Sequence, residues 1–354
     1  VIAALKSVNN ADALARRRDS QGMTALMYAA GAGHTATVMA ILDAVKDPDS
    51  LMSVQNDEGM TALMYGAHDV NSEIVKLILN AVNDKDTLAR MRDKEGVTAL
   101  IFAAYSGNNE TVGAILSAVS NKDALAKLQD IYGVSALMNA AHRGDAEMVE
   151  TLLQAVDNKD ALALLRNNYG TTALIHAAHT GDANTLKSIL KYVSAKDSLI
   201  KLQDVEGATA LMRALYGGHS ESALAILNAC EEPDALTWLT DSQGSTALVH
   251  AAHAGDIASA ALILDLTKSA DAYVLLGDIH GATPLMHAAL GGHTEIVQKI
   301  FDVAGNNQFL AFIKDKYGRT ALARAASKGH TETVRAILKN VERKYDLIYM
   351  CEDT

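Results

Sequence analysis

The sequence predicts an all-α repeat protein, a single solenoid of helix pairs that runs through all 354 residues. Three observations predict it. One glycine returns every 37 residues without an insertion: Gly22, Gly59, Gly96, Gly133, Gly170, Gly207, Gly244, Gly281 and Gly318. Apolar residues between these glycines fall at i, i+3, i+4 and i+7, as in Val38, Ile41, Leu42 and Val45, which is helical spacing. The apolar share is 49% but aromatics are only 5%, and small aliphatic side chains suit close helix packing rather than a β-sandwich. The length alone would suggest two or three globular domains, a prior that a repeat array overrides.

Each repeat opens on a turn. Three residues before the glycine stands Asp19, Asn56, Asp93 or a cognate, whose side chain can bond the following backbone and seed the turn. The glycine supplies the positive φ that the turn needs. Two residues later Thr24, Thr61, Thr98 or Ser135 caps a first helix reading Thr-Ala-Leu-Met-x-Ala-Ala. That helix stops at a second glycine (Gly33, Gly107, Gly144 and onward), Val70 being the exception, and the next residue is always His, Asn or Asp. A second helix follows; Cys230 takes the place of Val45 in it and reads as a small core residue. After the second helix, segments such as Asn121 to Asp130 keep a leucine in phase (Leu14, Leu51, Leu88, Leu125), with Tyr273 in the eighth copy. Asp123 or its neighbours are expected to cap a short extra helical turn there.

The pattern D-x-x-G-x-T-x-L-x-x-A-A-x-x-G-H, in nine copies in register, resembles the ankyrin repeat. The resemblance covers the whole chain. It implies antiparallel helix pairs joined by β-hairpin fingers, stacked into a curved array with a concave groove. Repeats begin near residues 19, 56, 93, 130, 167, 204, 241, 278 and 315, with a partial repeat at 1–18 and the start of a truncated one at 352–354. Three features depart from the family's pattern. The Pro of Thr-Pro-Leu-His survives only at Pro284, and Met27, Met64, Ile101 and their cognates replace the His, which exchanges a polar link for apolar packing. The period is longer than the commonest 33 residues, because of the short extra turn. Both ends fall inside a repeat, and the apolar residues there lead us to expect a segment of a longer protein.

Net charge is −11, which opposes general nucleic-acid binding. No run of apolar residues is long enough to span a membrane, and no signal peptide is read. Two cysteines make neither a disulfide framework nor a metal cluster, and a cytoplasmic, reducing location is expected, or the host cytosol for a secreted effector. No phosphate-binding loop, zinc-protease or nucleophile-elbow motif occurs, so a non-catalytic chain without cofactors is expected.

The resemblance turns two rows of the first helices toward the groove. The first row holds Tyr28, Tyr65, Phe102, Asn139, His176, Arg213, His250, His287 and Arg324. The second holds Gly31, His68, Tyr105, His142, His179, Tyr216, His253, Leu290 and Ser327. Met60 lies on a finger beside Tyr65. The early aromatics read as an apolar anchor for a partner protein or peptide. The later His and Arg read as an attraction for an acidic stretch, strengthened by protonation around the ordinary imidazole pKa near 6.5. The pairs His176/His179 and His250/His253 could also offer two imidazoles to a metal, or be plain solvated residues. A different class of function stays open, an architectural spacer or self-assembling scaffold, since nine layers would span about 80–90 Å. A monomer is expected, with end-to-end association as the assembly an array of this kind permits.

Overall fold

The nine turns fold as their residues require. In a computed structural model that describes residues 11–68, 71–304 and 307–350, each turn glycine has φ between +70° and +82°. The Asp or Asn before it accepts twice through one oxygen: the amides of Gln21 and Met23 donate to Asp19 Oδ1 at 2.8 and 3.0 Å, and those of Tyr132 and Val134 donate to Asp130 at 2.9 and 2.8 Å. The fingers are shorter than hairpin strands. Among the described residues they amount to isolated antiparallel bridges such as Gln129 with Ser135 and Gln203 with Thr209.

First helices begin directly after the turns, for example Ala25–Gly31, Ala99–Ser106, Ala210–Tyr216 and Ala247–Ala254. Thr24, Thr98, Ser135 and Thr209 accept from the amide three residues on, the expected caps. The methionine that replaces the family's histidine does more than pack. Met27 and Met64 are buried, and their sulfurs accept from the amides of Thr24 and Thr61 at 3.4 Å, so a weak polar link survives within the repeat. Second helices of about ten residues follow, among them Ser72–Ala81, Asn109–Ala118 and Ile257–Leu266. Asn71, Asn108, Asp145 and Asp256 cap them through their side chains, whereas His34, His219, His293 and His330 at the same position do not. The imidazoles of His219, His293 and His330 instead cover the glycine that ends the first helix of the preceding repeat. A Cβ at Gly255 (φ +77°) would stand 2.5 Å from the His293 ring, so that position is closed to any other residue twice over. His330 Nε2 also lies 3.1 Å from the Leu290 carbonyl.

The short extra helix is present in every described copy, as Pro48–Met52, Lys122–Ala126 and Lys159–Ala163 show. Its cap is Asn121, not Asp123: the Ala124 amide donates to Asn121 at 3.0 Å. Asp123 reaches instead to the next repeat, where the amides of Asp157 and Asn158 donate to it at 2.9 and 3.0 Å. The same lacing recurs from Asp12 to Lys46 and Asp47, from Asp86 to Ser120 and Asn121, and from Asp197 to Glu231 and Glu232. The leucines of this helix (Leu51, Leu125, Leu162, Leu199) are buried, and Tyr273 replaces one without exposing its hydroxyl, which donates to the Thr237 carbonyl at 2.8 Å. Burial drives the Tyr273 pKa up to about 12. Cys230 is buried as expected, and burial raises its thiol to about 11.

The chain divides into two compact units, Val1–Ala173 with Lys187–Ser194, and Leu174–Leu186 with Ala195–Thr354. Within each, finger backbones form a ladder. The Asp57 amide donates to the Gln21 carbonyl at 3.1 Å and that of Lys94 to Glu58 at 2.9 Å; in the second unit Ser242 donates to Glu206 at 2.7 Å and Lys316 to His280 at 2.9 Å. The half-helix expected at the start, Val70, Cys351 and residues 352–354 lie outside the described residues.

Candidate partner-binding face

Finger carboxylates take hold of the first row. The turn Asp spends one oxygen on its own backbone and offers the other to the residue nine positions on, in the first helix. Tyr28 donates to Asp19 Oδ2 at 2.7 Å, and the Asn56 amide donates to the Tyr65 hydroxyl at 3.0 Å. In the second unit Arg213 Nε donates to Asp204 at 2.8 Å, and Arg324 to Asp315 at 2.7 Å. His250 and His287 stand 2.8 and 2.9 Å from Asp241 and Asp278. At these six positions the row clamps the finger to its helix. Arg324 is only 6% exposed, while Arg213 also donates to Glu206 at 2.8 Å.

This geometry corrects the expected attraction for an acidic stretch. Both guanidiniums of the row are already neutralised by carboxylates, so they present no unpaired positive charge. Nor are His250 and His287 poised at the ordinary pKa. Burial lowers both, against the opposing pull of Asp241 and Asp278; His253 and Arg213 add to the depression at His250, and Arg324 and His253 at His287. The Nδ1 of His287 is buried without a partner, which further disfavours a proton there.

The second row stands outward. Tyr105 is 64% and Tyr216 68% exposed; His142, His179 and His253 are exposed as well. Ring contacts join the two rows on a diagonal from one repeat to the next. His68 meets Phe102 edge-on at 5.8 Å, Tyr216 meets His250 at 6.2 Å, and His253 meets His287 at 5.8 Å. Met60, Tyr65, Phe102 and His176 are half-buried, so the exposed rings of the expected anchor are those of Tyr105 and of Tyr28, whose hydroxyl Asp19 holds. The i, i+3 histidine pairs are split by this pattern, one ring on a clamp position and the other outward. Among the described residues no group of three or more His, Cys, Asp or Glu side chains is placed to hold a metal ion.

In the second unit a cleft of about 380 Å³ opens between the fingers and first helices of the sixth and seventh repeats. Ala208, Met212 and Val249 form its buried floor, Tyr216 and His253 line it, and Glu206 and Asp241 supply carboxylates.

The repeat architecture, with its finger, two antiparallel helices and glycine-ended turn, is matched by a family profile described as ankyrin repeats (3 copies), in overlapping segments that span residues 2–347. The chain belongs to the ankyrin repeat family. Its fold is shared with the crystal structure of the ankyrin repeat domain of Bcl-3, described as a unique member of the IkappaB protein family, at 19% identity and a TM-score of 0.53, covering 65% of this chain and 94% of that one. Comparison with curated proteins found no match. Ankyrin repeats are in general protein–protein interaction modules, and no helix among the described residues of this array is long and apolar enough to cross a membrane.

Sequence reasoning missed the finger tips of this ankyrin array. Ile131, Tyr132 and Tyr169 in the first unit, and Val205, Ile279 and Tyr317 in the second, are large hydrophobic residues that stand exposed. They occupy the two variable positions between the turn Asp or Asn and its glycine. An apolar residue in a turn that leaves no room for burial was the signal available.

Proposed function

We propose that this array is a non-catalytic binding module that holds a partner protein or peptide along the face made by its fingers and first helices. The observation that carries the reading is the division of labour between the two rows. In the sixth and seventh repeats the first-row Arg213 and His250 are fixed by finger carboxylates, and the second-row rings of Tyr216 and His253 stand exposed beside them, as that of Tyr105 does in the third repeat. Exposed aromatic rings are favoured as interface anchors. Tyr105, with Phe102, Tyr65 and Met60 behind it, serves as the apolar anchor, and His142 and His179 extend the contact surface. An architectural spacer would have no use for such rings. The test is capture of partners from a lysate by the 354-residue chain and by a Tyr105→Ala/Tyr216→Ala variant, quantified by mass spectrometry. A partner enriched by the parent chain and lost from the variant, at unchanged melting temperature, supports the reading; identical captures sink it.

A further inference from the structure

We propose that the cleft of the sixth and seventh repeats receives a basic side chain, that of an arginine or lysine, presented by the partner. The proposal rests on the reading of this face as a peptide-binding surface and reverses the charge expected of its ligand. Asp204 and Glu206 hold a single guanidinium, that of Arg213, and a third carboxylate, Asp241, lines the cleft and is held by the His250 ring. Asp204 and Asp241 are fixed by backbone amides and by the clamp, so neither can turn away. His250 adds no positive charge near neutral pH, because its burial favours the neutral ring. The cleft thus carries net negative charge, and an anionic side chain would be repelled from it.

Shape and surface agree with charge. The volume of about 380 Å³ lies near the lower end of ligand-pocket sizes, about 300–1,000 Å³. The floor of Met212 and Val249 suits the aliphatic stem of a long side chain, and the exposed face of Tyr216 suits the cationic head. Glu206 is 67% exposed at the side chain, and only one of its oxygens is held by Arg213, at 2.8 Å. The other has no partner among the described residues and can accept from an incoming guanidinium or ammonium.

The test needs no partner protein. N-acetyl-arginine methylamide, the lysine equivalent, the uncharged citrulline isostere and the glutamate equivalent are titrated into the 354-residue chain. The methyl resonance of Met212, assigned with a Met212→Leu variant, is followed by NMR. Arginine or lysine should shift it saturably, their ratio telling which head the cleft prefers, and added salt should weaken the binding. Citrulline and glutamate should leave it in place. Glu206→Gln should weaken the cationic probes about two- to fivefold, the range of an exposed ion pair, and Tyr216→Ala by about the same factor, as for an exposed cation–π contact. Both side chains are exposed, so melting temperature should hold. Citrulline binding as well as arginine, or Glu206→Gln without effect, overturns the proposal. Partner capture that survives while no cationic probe binds removes the cleft and keeps the groove reading; an arginine response with no partner captured removes the groove reading alone.

Discussion

The Asp315 side chain has no exposed surface, yet it stays ionised. Burial alone would raise its pKa; the bond from Arg324, the amides of Arg319 and Tyr317 and the Arg319 guanidinium outweigh burial and hold it at about 2. Removing one member of a buried pair strands the other, at a cost of about 3–5 kcal/mol. Asp315→Ala should approach that loss in urea unfolding, because it also frees two turn amides. Asp315→Asn, which can keep the turn bonds, should lose less; equal losses would show that the turn bonds contribute nothing of their own. The pH dependence follows from the same shift. A carboxylate depressed in the folded state adds stability above its unfolded pKa near 3.9. That contribution, about 2 kcal/mol here, is lost as pH falls from about 4 to 2. The histidines act in a higher window. His250 and His287 have lowered folded pKa values, so the unfolded chain binds protons first, and stability declines as pH drops below the ordinary value near 6.5. Unfolding free energy measured from pH 7.5 to 5 should fall, and fall less in a His250→Asn/His287→Asn variant. A profile that rises on acidification would contradict the assignment of buried, neutral rings. These partners were not legible in the sequence. The Asp of the turn announced a turn, but its second oxygen acts nine residues away, across a distance that only the folded finger closes.

At the scale of the element, the short extra helix was readable because its leucine keeps phase and, in copies such as those opening at Asp47, Asp84, Asn121 and Asn158, Asn or Asp stands at its start. Its purpose was not, since Asp123 bonds amides 34 and 35 residues further on. These bonds, led by the one from the Asp157 amide, lower the Asp123 pKa. Asp123→Ala should cost about 0.5–1.5 kcal/mol, as for hydrogen bonds within reach of solvent, and Asn121→Ala about 1 kcal/mol, as for a lost cap. Hydrogen exchange separates the two. The first variant should expose the amides of Asp157 and Asn158 in the next repeat; the second should expose only that of Ala124. If both variants loosen the same amides, Asp123 is an ordinary cap. The first helix offers a matching contrast between Tyr65 and Tyr105. Tyr65 is half-buried and bonded to Asn56, and Tyr105 is exposed and follows its row neighbours in register. Tyr105→Ala should change stability by less than about 0.5 kcal/mol while a partner loses about thirtyfold in affinity, the scale of a hot-spot ring. Tyr65→Ala should mainly lower the melting temperature. Row membership was visible in the sequence for both tyrosines, whereas their difference in exposure depends on which has a finger side chain within reach.

Within each compact unit neighbouring repeats are tied by the finger ladder and the Asp lacing of the short helices, and in the second unit imidazoles also cover the helix-ending glycines. Each set joins only neighbours, so stability should sum local terms rather than stand or fall as one block. Gly133 offers a place to test this. It holds φ +77°, and a Cβ on it would lie 2.8 Å from the Asn167 Cα of the next finger, so a side chain strains its own turn and pushes away the rung above. The φ strain alone costs about 1–3 kcal/mol. Gly133 belongs to the first compact unit, and the chain's one tryptophan, Trp238, belongs to the second, where its ring packs 5.2 Å from Tyr273. Trp238 fluorescence therefore reports the second unit, while far-UV circular dichroism reports every helix. In Gly133→Val the dichroism should gain an early transition in urea, and the fluorescence midpoint should stay where it is in the parent chain. A fluorescence midpoint that falls together with the dichroism would mean that damage in the fourth finger reaches the sixth repeat, and that the array unfolds as a single cooperative body despite its purely local bonds.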